Sequence, residues 1–370
     1  MFAGTNQMTI WERRTRTTRQ LELQGMADWR IAGVRGAFTM PRWAPDNQQF
    51  ILHAVRKVSG SWANPVLVYA LFLVDAATGE VKQVGTEVPE DQKALDLCWR
   101  PDGRAVTYVS GPRRLTTLSL DGGRVAWNDL QFPGPAHLRL GNYTSDGEWL
   151  LVTADDKDRN GRGNRDVWVL PHLQGTAKRL TQTAGMDAYP TWSPDDREVY
   201  FVSGGASERN DTWGIWKIGL ARKSRSPQGA PTEVFARKGE KILQWKEGLE
   251  WHPSSEYLTY MIYGPERFSS QIRRAYPDGR PTELMIQQQE HWDYLGVWAP
   301  DGRRFYFNSS ERNPDQVVIH LYDAQTQQIT HDHSGGKLDA LPRWSRDGST
   351  ATWTSGEAHR YFEEIEGFIP

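Results

Sequence analysis

The chain has 370 residues, and its 44 Lys+Arg stand against 46 Asp+Glu for a formal net charge of −2. That balance gives no general pull toward nucleic acid or an anionic membrane surface, and a mean hydropathy of −0.67 with no run of 18 apolar residues excludes a membrane-spanning helix. The single cysteine, Cys98, excludes an internal disulfide framework and a cysteine-based zinc cluster.

Aromatics make up 11% of the chain beside 34 Gly and 21 Pro, a pairing that predicts short strands joined by tight turns. In chain order, residues 1–14 lack the apolar stretch of a secretory leader. The expected compartment is therefore the cytoplasm, or the periplasm or exterior if the chain is a mature one. Residues 9–23 read as a strand pair with no partner strand of their own. Basic side chains on alternate positions of 13–19 suit an exposed outer strand.

An aromatic followed by a polar turn then recurs seven times: Trp43-Ala-Pro-Asp, Trp99-Arg-Pro-Asp-Gly, Tyr143-Thr-Ser-Asp-Gly, Trp192-Ser-Pro-Asp-Asp, Trp251-His-Pro-Ser-Ser, Trp298-Ala-Pro-Asp-Gly and Trp344-Ser-Arg-Asp-Gly. The steps run from 44 to 59 residues, the length of one propeller blade. Each turn leads into a β-rich run, such as 105–109, 199–202 or 257–263. Second hairpins follow at 71–84, 166–181 and 318–330. Four strands per unit and seven units predict an all-β protein, a seven-bladed propeller of antiparallel blades forming one domain over 1–370. Residues 1–24 supply the outer strands of the last blade, so both termini close the ring, and 357–370 are left as a tail.

The strings Pro-Thr-Trp192-Ser-Pro-Asp-Asp and Val-Trp298-Ala-Pro-Asp-Gly resemble the repeat of TolB-type propellers, also called WD40-like or PD40 repeats. The resemblance covers nearly the whole chain. It implies the propeller fold and leaves the function open between a protein-binding scaffold, a ligand-binding module and a polysaccharide lyase of the oligogalacturonate type. Tyr143 in place of Trp, Ser254 in place of Asp and Arg346 in place of Pro depart from the pattern locally. The aromatics are expected to pack between neighbouring sheets, the turn Asp to accept turn amides, and Cys98 to be a buried, inert thiol.

Loops that enter the innermost strands are where a propeller would bind. Five positions before each motif aromatic stand Phe38, Ala94, Leu138, Asp187, Lys246, Asp293 and Asp339. Asp187, Asp293 and Asp339 are therefore candidate ligand-binding residues at equivalent positions, joined by Arg42, Glu250 and Arg343 just before their aromatics. His137, His291, Arg139 and Tyr294 are the candidate catalytic groups. A His or Tyr could take a proton alpha to a carboxylate that an Arg neutralises, which is uronate-lyase chemistry, and His with carboxylates could hold a divalent ion. The alternative is that the Asp side chains simply bond to backbone amides nearby.

Asp156-Lys-Asp158-Arg-Asn160-Gly matches the opening of a calcium loop, with Asn164 and Asp166 downstream, but Val167 stands where the closing Glu belongs. Calcium or manganese is thus a candidate cofactor. A plain polar hairpin is the other reading. The basic stretch 221–231 reads as a solvated hairpin tip. No Gly-x-Ser-x-Gly, Walker A or Gly-x-Gly-x-x-Gly string occurs. The leading expectation is a monomeric binding module or scaffold for a protein, small-molecule or oligosaccharide partner, with a uronate lyase as the alternative.

Overall fold

A computed structural model describes residues 7–356 apart from 13–16, 27, 32, 35–36, 39–41, 47, 61–64, 90–95, 112–113, 121–137, 158–162, 173–174, 184, 205–211, 239–241, 243–247, 265–268, 290, 311–316, 334–337 and 345–349. The tail 357–370 and His137 fall outside this set. Among the described residues every named element is a β-strand, as the composition predicts.

The chain divides into two compact units, Ala94–Gln289 and Met1–Lys93 with Glu290–Pro370. The first holds a three-stranded sheet around Trp99, an eight-stranded sheet and a four-stranded sheet around Trp251. The eight-stranded sheet is two antiparallel meanders, 138–179 and 186–238. Among the described residues their backbone link is a parallel bridge, Arg165 to Met186. In the second unit, Trp298–Asp323 strands form a four-stranded meander 292–333, and the strands around Trp43 form another with Gln49–Gly60, Pro65–Asp75 and Val81–Pro89. A third sheet draws on both ends of the chain, in the order Thr17–Glu22, Gln7–Glu12, Thr350–Gly356, Leu338–Trp344.

The motif builds the same corner in sheet after sheet. The amides of Gly103, Gly147, Asp196, Ser255 and Gly302 each close a turn onto the carbonyl three residues earlier, at 2.8–2.9 Å. All five have φ between 57° and 73°, a left-handed conformation that Gly adopts without steric cost. The turn Asp then caps the next strand. Asp46, Asp102, Asp146, Asp195 and Asp301 each accept the amide two residues on, at 2.9–3.2 Å. In the Trp251 copy the Ser254 hydroxyl takes that place at 3.4 Å.

The aromatics pack between sheets, as expected. Trp192 is buried against Leu151 and Val169 of the preceding meander and donates from Nε1 to the Asn142 carbonyl at 3.1 Å. Trp251 meets Tyr200 edge-on at 5.1 Å. Tyr143 has its own reason to differ from Trp. Its hydroxyl lies 2.6 Å from Thr107 Oγ1 in the preceding sheet and 3.0 Å from His172 Nδ1, and Thr107 continues to Thr117 at 2.8 Å. An indole has no atom that could both accept and donate there. Burial holds His172 below the usual histidine range, helped by the nearby Arg100 charge.

Two expectations are corrected here. Cys98 is half-buried rather than enclosed, its thiol directed at the Trp99 carbonyl at 3.5 Å. In the basic stretch, Arg225 is buried, not solvated. Its guanidinium stacks over Trp192 at 5.2 Å and donates to the Asp196 carbonyl.

Candidate functional site

The strand that ends in each motif aromatic does not run straight. Four of them carry a β-bulge at the same place, between Leu140 and Tyr143, Ala188 and Thr191, Tyr294 and Val297, and Ala340 and Arg343. A bulge re-aims the chain at the residues before it. Gly or Pro stands two positions before the aromatic in all four: Gly141, Pro190, Gly296 and Pro342. At Gly296 the requirement is steric, since a Cβ there would run into the Tyr306 carbonyl. That Gly/Pro position is the sequence signal for the bulge.

Beyond the bulge the ladder resumes with one recurrent pair. Asp187 faces Ser203, Asp293 faces Ser309 and Asp339 faces Ser355, each Ser sixteen residues after its Asp. The alignment by counting back five is therefore the register of the structure. The expected partners are not. Ser309 Oγ donates to Asp293 Oδ1 at 2.6 Å, and Thr183 Oγ1 donates to Asp187 Oδ2 at 2.9 Å. Both carboxylates are fully buried and take hydroxyls, where the alternative to ligand binding had them on backbone amides. A carboxylate bonded to backbone amides does occur, but at Asp96, which sequence reasoning passed over. It accepts Leu97 N at 3.0 Å and, from the neighbouring sheet, Leu140 N at 2.9 Å.

In the second unit His291 Nδ1 lies 3.0 Å from Ser309 Oγ. Because Ser309 donates to Asp293, the His291 Nδ1–H donates to Ser309. The ring stands 6.1 Å from the buried His320. Tyr294 sits opposite Asn308, with Asp339 and Arg343 on the adjoining strand opposite Ser355 and Thr352. Arg42, half-buried, lies opposite Ile51.

In the first unit Arg139 is exposed, and Glu250 is half-buried opposite Thr259. Arg139 lies close enough to Tyr189 to favour its ionised form, as does Arg165, yet burial is the larger influence and pushes the Tyr189 phenol up. Tyr189 itself occupies the bulge with φ 53°, a rare conformation for a bulky residue. Its ring lies against Gly248, where any Cβ would strike it. Arg165 grips Asp155 through two bonds, one of 3.1 Å from Nη2 to Oδ2.

Asp156 pairs with Asn164 and Lys157 with Gly163 in a regular antiparallel ladder. Asp158 and Asn160 lie outside the described residues. Asp166 is buried and held by Arg179, with Thr181 Oγ1 donating to its Oδ1 at 3.3 Å. Among the described residues no three His, Cys, Asp or Glu side chains gather as a metal set. His291 and Asp293 meet at a Ser hydroxyl instead of a shared centre, so the described groups do not fit manganese or calcium.

No family model matches the chain. Solved structures similar to it include oligogalacturonate lyase in complex with manganese, 14% identical with a TM-score of 0.64 over 96% of this chain and 98% of that one. Another is oligogalacturonate lyase from Vibrio parahaemolyticus, 13% identical with a TM-score of 0.65 over 95% and 98%. A third is the β-propeller domain of the Trilobed protease from Pyrococcus furiosus, 12% identical with a TM-score of 0.56 over 89% and 90%. Among curated proteins, the Tol-Pal system protein TolB of Nitratidesulfovibrio vulgaris is 30% identical over 73 residues. Those residues are 20% of this chain and only 16% of that protein. The fold is thus that of the TolB-like and oligogalacturonate-lyase-type β-propellers. No helix among the described residues is long and apolar enough to cross a membrane. The expectation of a cytoplasmic chain finds no support in these likenesses.

Proposed function

We propose that the chain is a seven-bladed TolB-like propeller, one domain over residues 1–370, that acts as a binding module for a carboxylate-bearing ligand of the oligosaccharide class. Pairing of Thr9–Glu12 with residues 350–353 supports closure of the ring by the two ends of the chain. The observation that carries the binding reading is the exposed Arg139 beside the strained, half-buried Tyr189 on two adjacent bulged strands. Arg supplies a planar fork for a carboxylate, and a ring edge or face covers the apolar side of a sugar. Non-glycine strain of this kind persists where surrounding structure over-determines it, and such places are often ligand clamps. Asp187 stands on the strand that presents Tyr189.

A lyase is the second reading, favoured by one observation: the Asp293–Ser309–His291 chain of hydrogen bonds fixes the orientation of the His291 ring. Tyr189 is a poor base at neutral pH because burial favours its neutral form. No step is assigned to a metal. The test uses oligogalacturonate with the full chain, followed by calorimetry and by ultraviolet detection of unsaturated product. Binding without product, lost at least tenfold in Arg139→Ala while the melt is unchanged, is the expected result. Product formation that disappears in His291→Ala would establish the lyase, and no interaction of either kind would remove the carboxylate ligand from consideration.

A further inference from the structure

Two carboxylates in the Ala94–Gln289 unit lie inside the protein with one guanidinium between them. Asp166 is on strand Gly163–Pro171 and Asp187 on strand Met186–Trp192, the two strands joined by the Arg165–Met186 bridge. Their side chains are 1% and 0% exposed. Arg179 Nη2 donates to Asp166, and Arg179 Nε is spent on the Thr181 carbonyl at 2.9 Å. Thr181 Oγ1 donates to Asp166 Oδ1 and accepts the Val167 amide at 3.0 Å. Asp187 has the Thr183 hydroxyl on Oδ2, with Ser203 opposite, while its buried Oδ1 has no hydrogen-bond partner among the described residues.

We infer that Asp166 and Asp187 share one proton at neutral pH and that this proton seals the junction between the two meanders of the eight-stranded sheet. Two like charges at one buried place cannot both be retained on a single cation. Donor geometry divides the roles. Asp166 faces a guanidinium and keeps the charge, while Asp187, met by hydroxyls, keeps the proton. Other charged groups on the packed strands are already engaged or face elsewhere. Arg165 is bound to Asp155, Glu198 to Lys217 and Tyr200, and Arg139 is exposed; Tyr189 stays neutral.

Burial is the chief cause that raises both groups, with Asp166 pushed up to about 6 and the Asp187 charge adding to it. A carboxyl raised above its unfolded value near 3.8 contributes stability that is present at low pH and lost as pH rises through the folded value. The junction should therefore loosen as rising pH removes the shared proton. His172, in the same unit, works the other way, since its folded value is lowered and its contribution fades as pH falls below 6.5. Only a comparison between variants separates the two.

The experiment measures urea unfolding of the wild-type chain and of Asp187→Asn at about pH 5 and about pH 7.5. The amide keeps the shape of the carboxyl without the charge. The expected result is that Asp187→Asn raises the folding equilibrium constant about tenfold at the higher pH, the equivalent of one pKa unit, and changes it little at the lower. A second measurement keeps the inference open to refutation if the variant fails to fold: carbon-13 NMR of Asp-labelled wild-type protein should show a carboxyl that titrates near neutrality. Identical pH dependence in both chains, or no aspartate titrating above the ordinary range, would overturn it.

Discussion

The two ends of the motif strands obey different rules. At the end that turns into the second strand, five copies of the motif repeat one set of bonds: a closed turn, a left-handed residue and a side chain capping the amide two residues on. At the end where the chain enters, the bulge recurs but its surroundings change from sheet to sheet. One sheet has a strained Tyr189 under Arg139, another a His291 tied to Ser309, another an Asp96 clasping its neighbour's backbone. A repeated set of bonds serves a requirement common to all sheets, which is folding. A varied set on a shared frame is free to serve recognition.

Three substitutions probe that division, beginning with the largest effect. Trp192→Ala at the turn end removes a buried indole that joins two meanders and should cost about 3–5 kcal/mol. Urea unfolding checks it, and a loss below 1 kcal/mol would show that the packing of this aromatic is dispensable. Gly296→Ala at the entry end drives a methyl into the Tyr306 carbonyl and should cost roughly 1–3 kcal/mol. A variant as stable as the parent would mean that the bulge yields easily and cannot hold a side chain in place. Ser255→Gly should act in the opposite direction. Ser255 holds φ 65° in the turn, so glycine there should raise the melting temperature slightly, with a gain of up to about 1 kcal/mol; a fall would assign Ser255 a bond that outweighs its strain.

The same division governs what could be read from the sequence. The turn end was legible because its chemistry is local. Pro sets the corner, Asp or Ser reaches an amide two residues away, and Gly accepts positive φ, so the string itself reports the structure. The entry end was half legible. Counting five residues back found the register of Asp187, Asp293 and Asp339, but their partners stand sixteen residues on, across a hairpin. An Asp followed by Ser at that fixed distance in three copies was the available clue. Tyr143 was noted as a departure, yet its cause lies in Thr107 and His172, which no local pattern connects. The string that matches the opening of a calcium loop shows the same limit of local reading. Its downstream Asp166 belongs to Arg179, thirteen residues away on another strand.

The single parallel bridge between Arg165 and Met186 has a consequence for how the molecule breathes. Sheets that share no backbone bonds can open one at a time, each with its own free energy. The meanders 138–179 and 186–238 are backbone-linked, and packed together through Leu151, Val169, Trp192 and Phe201. They should behave as one cooperative block in native-state hydrogen exchange, with amides of Val167 and Val202 released by the same opening event and protected to the same depth.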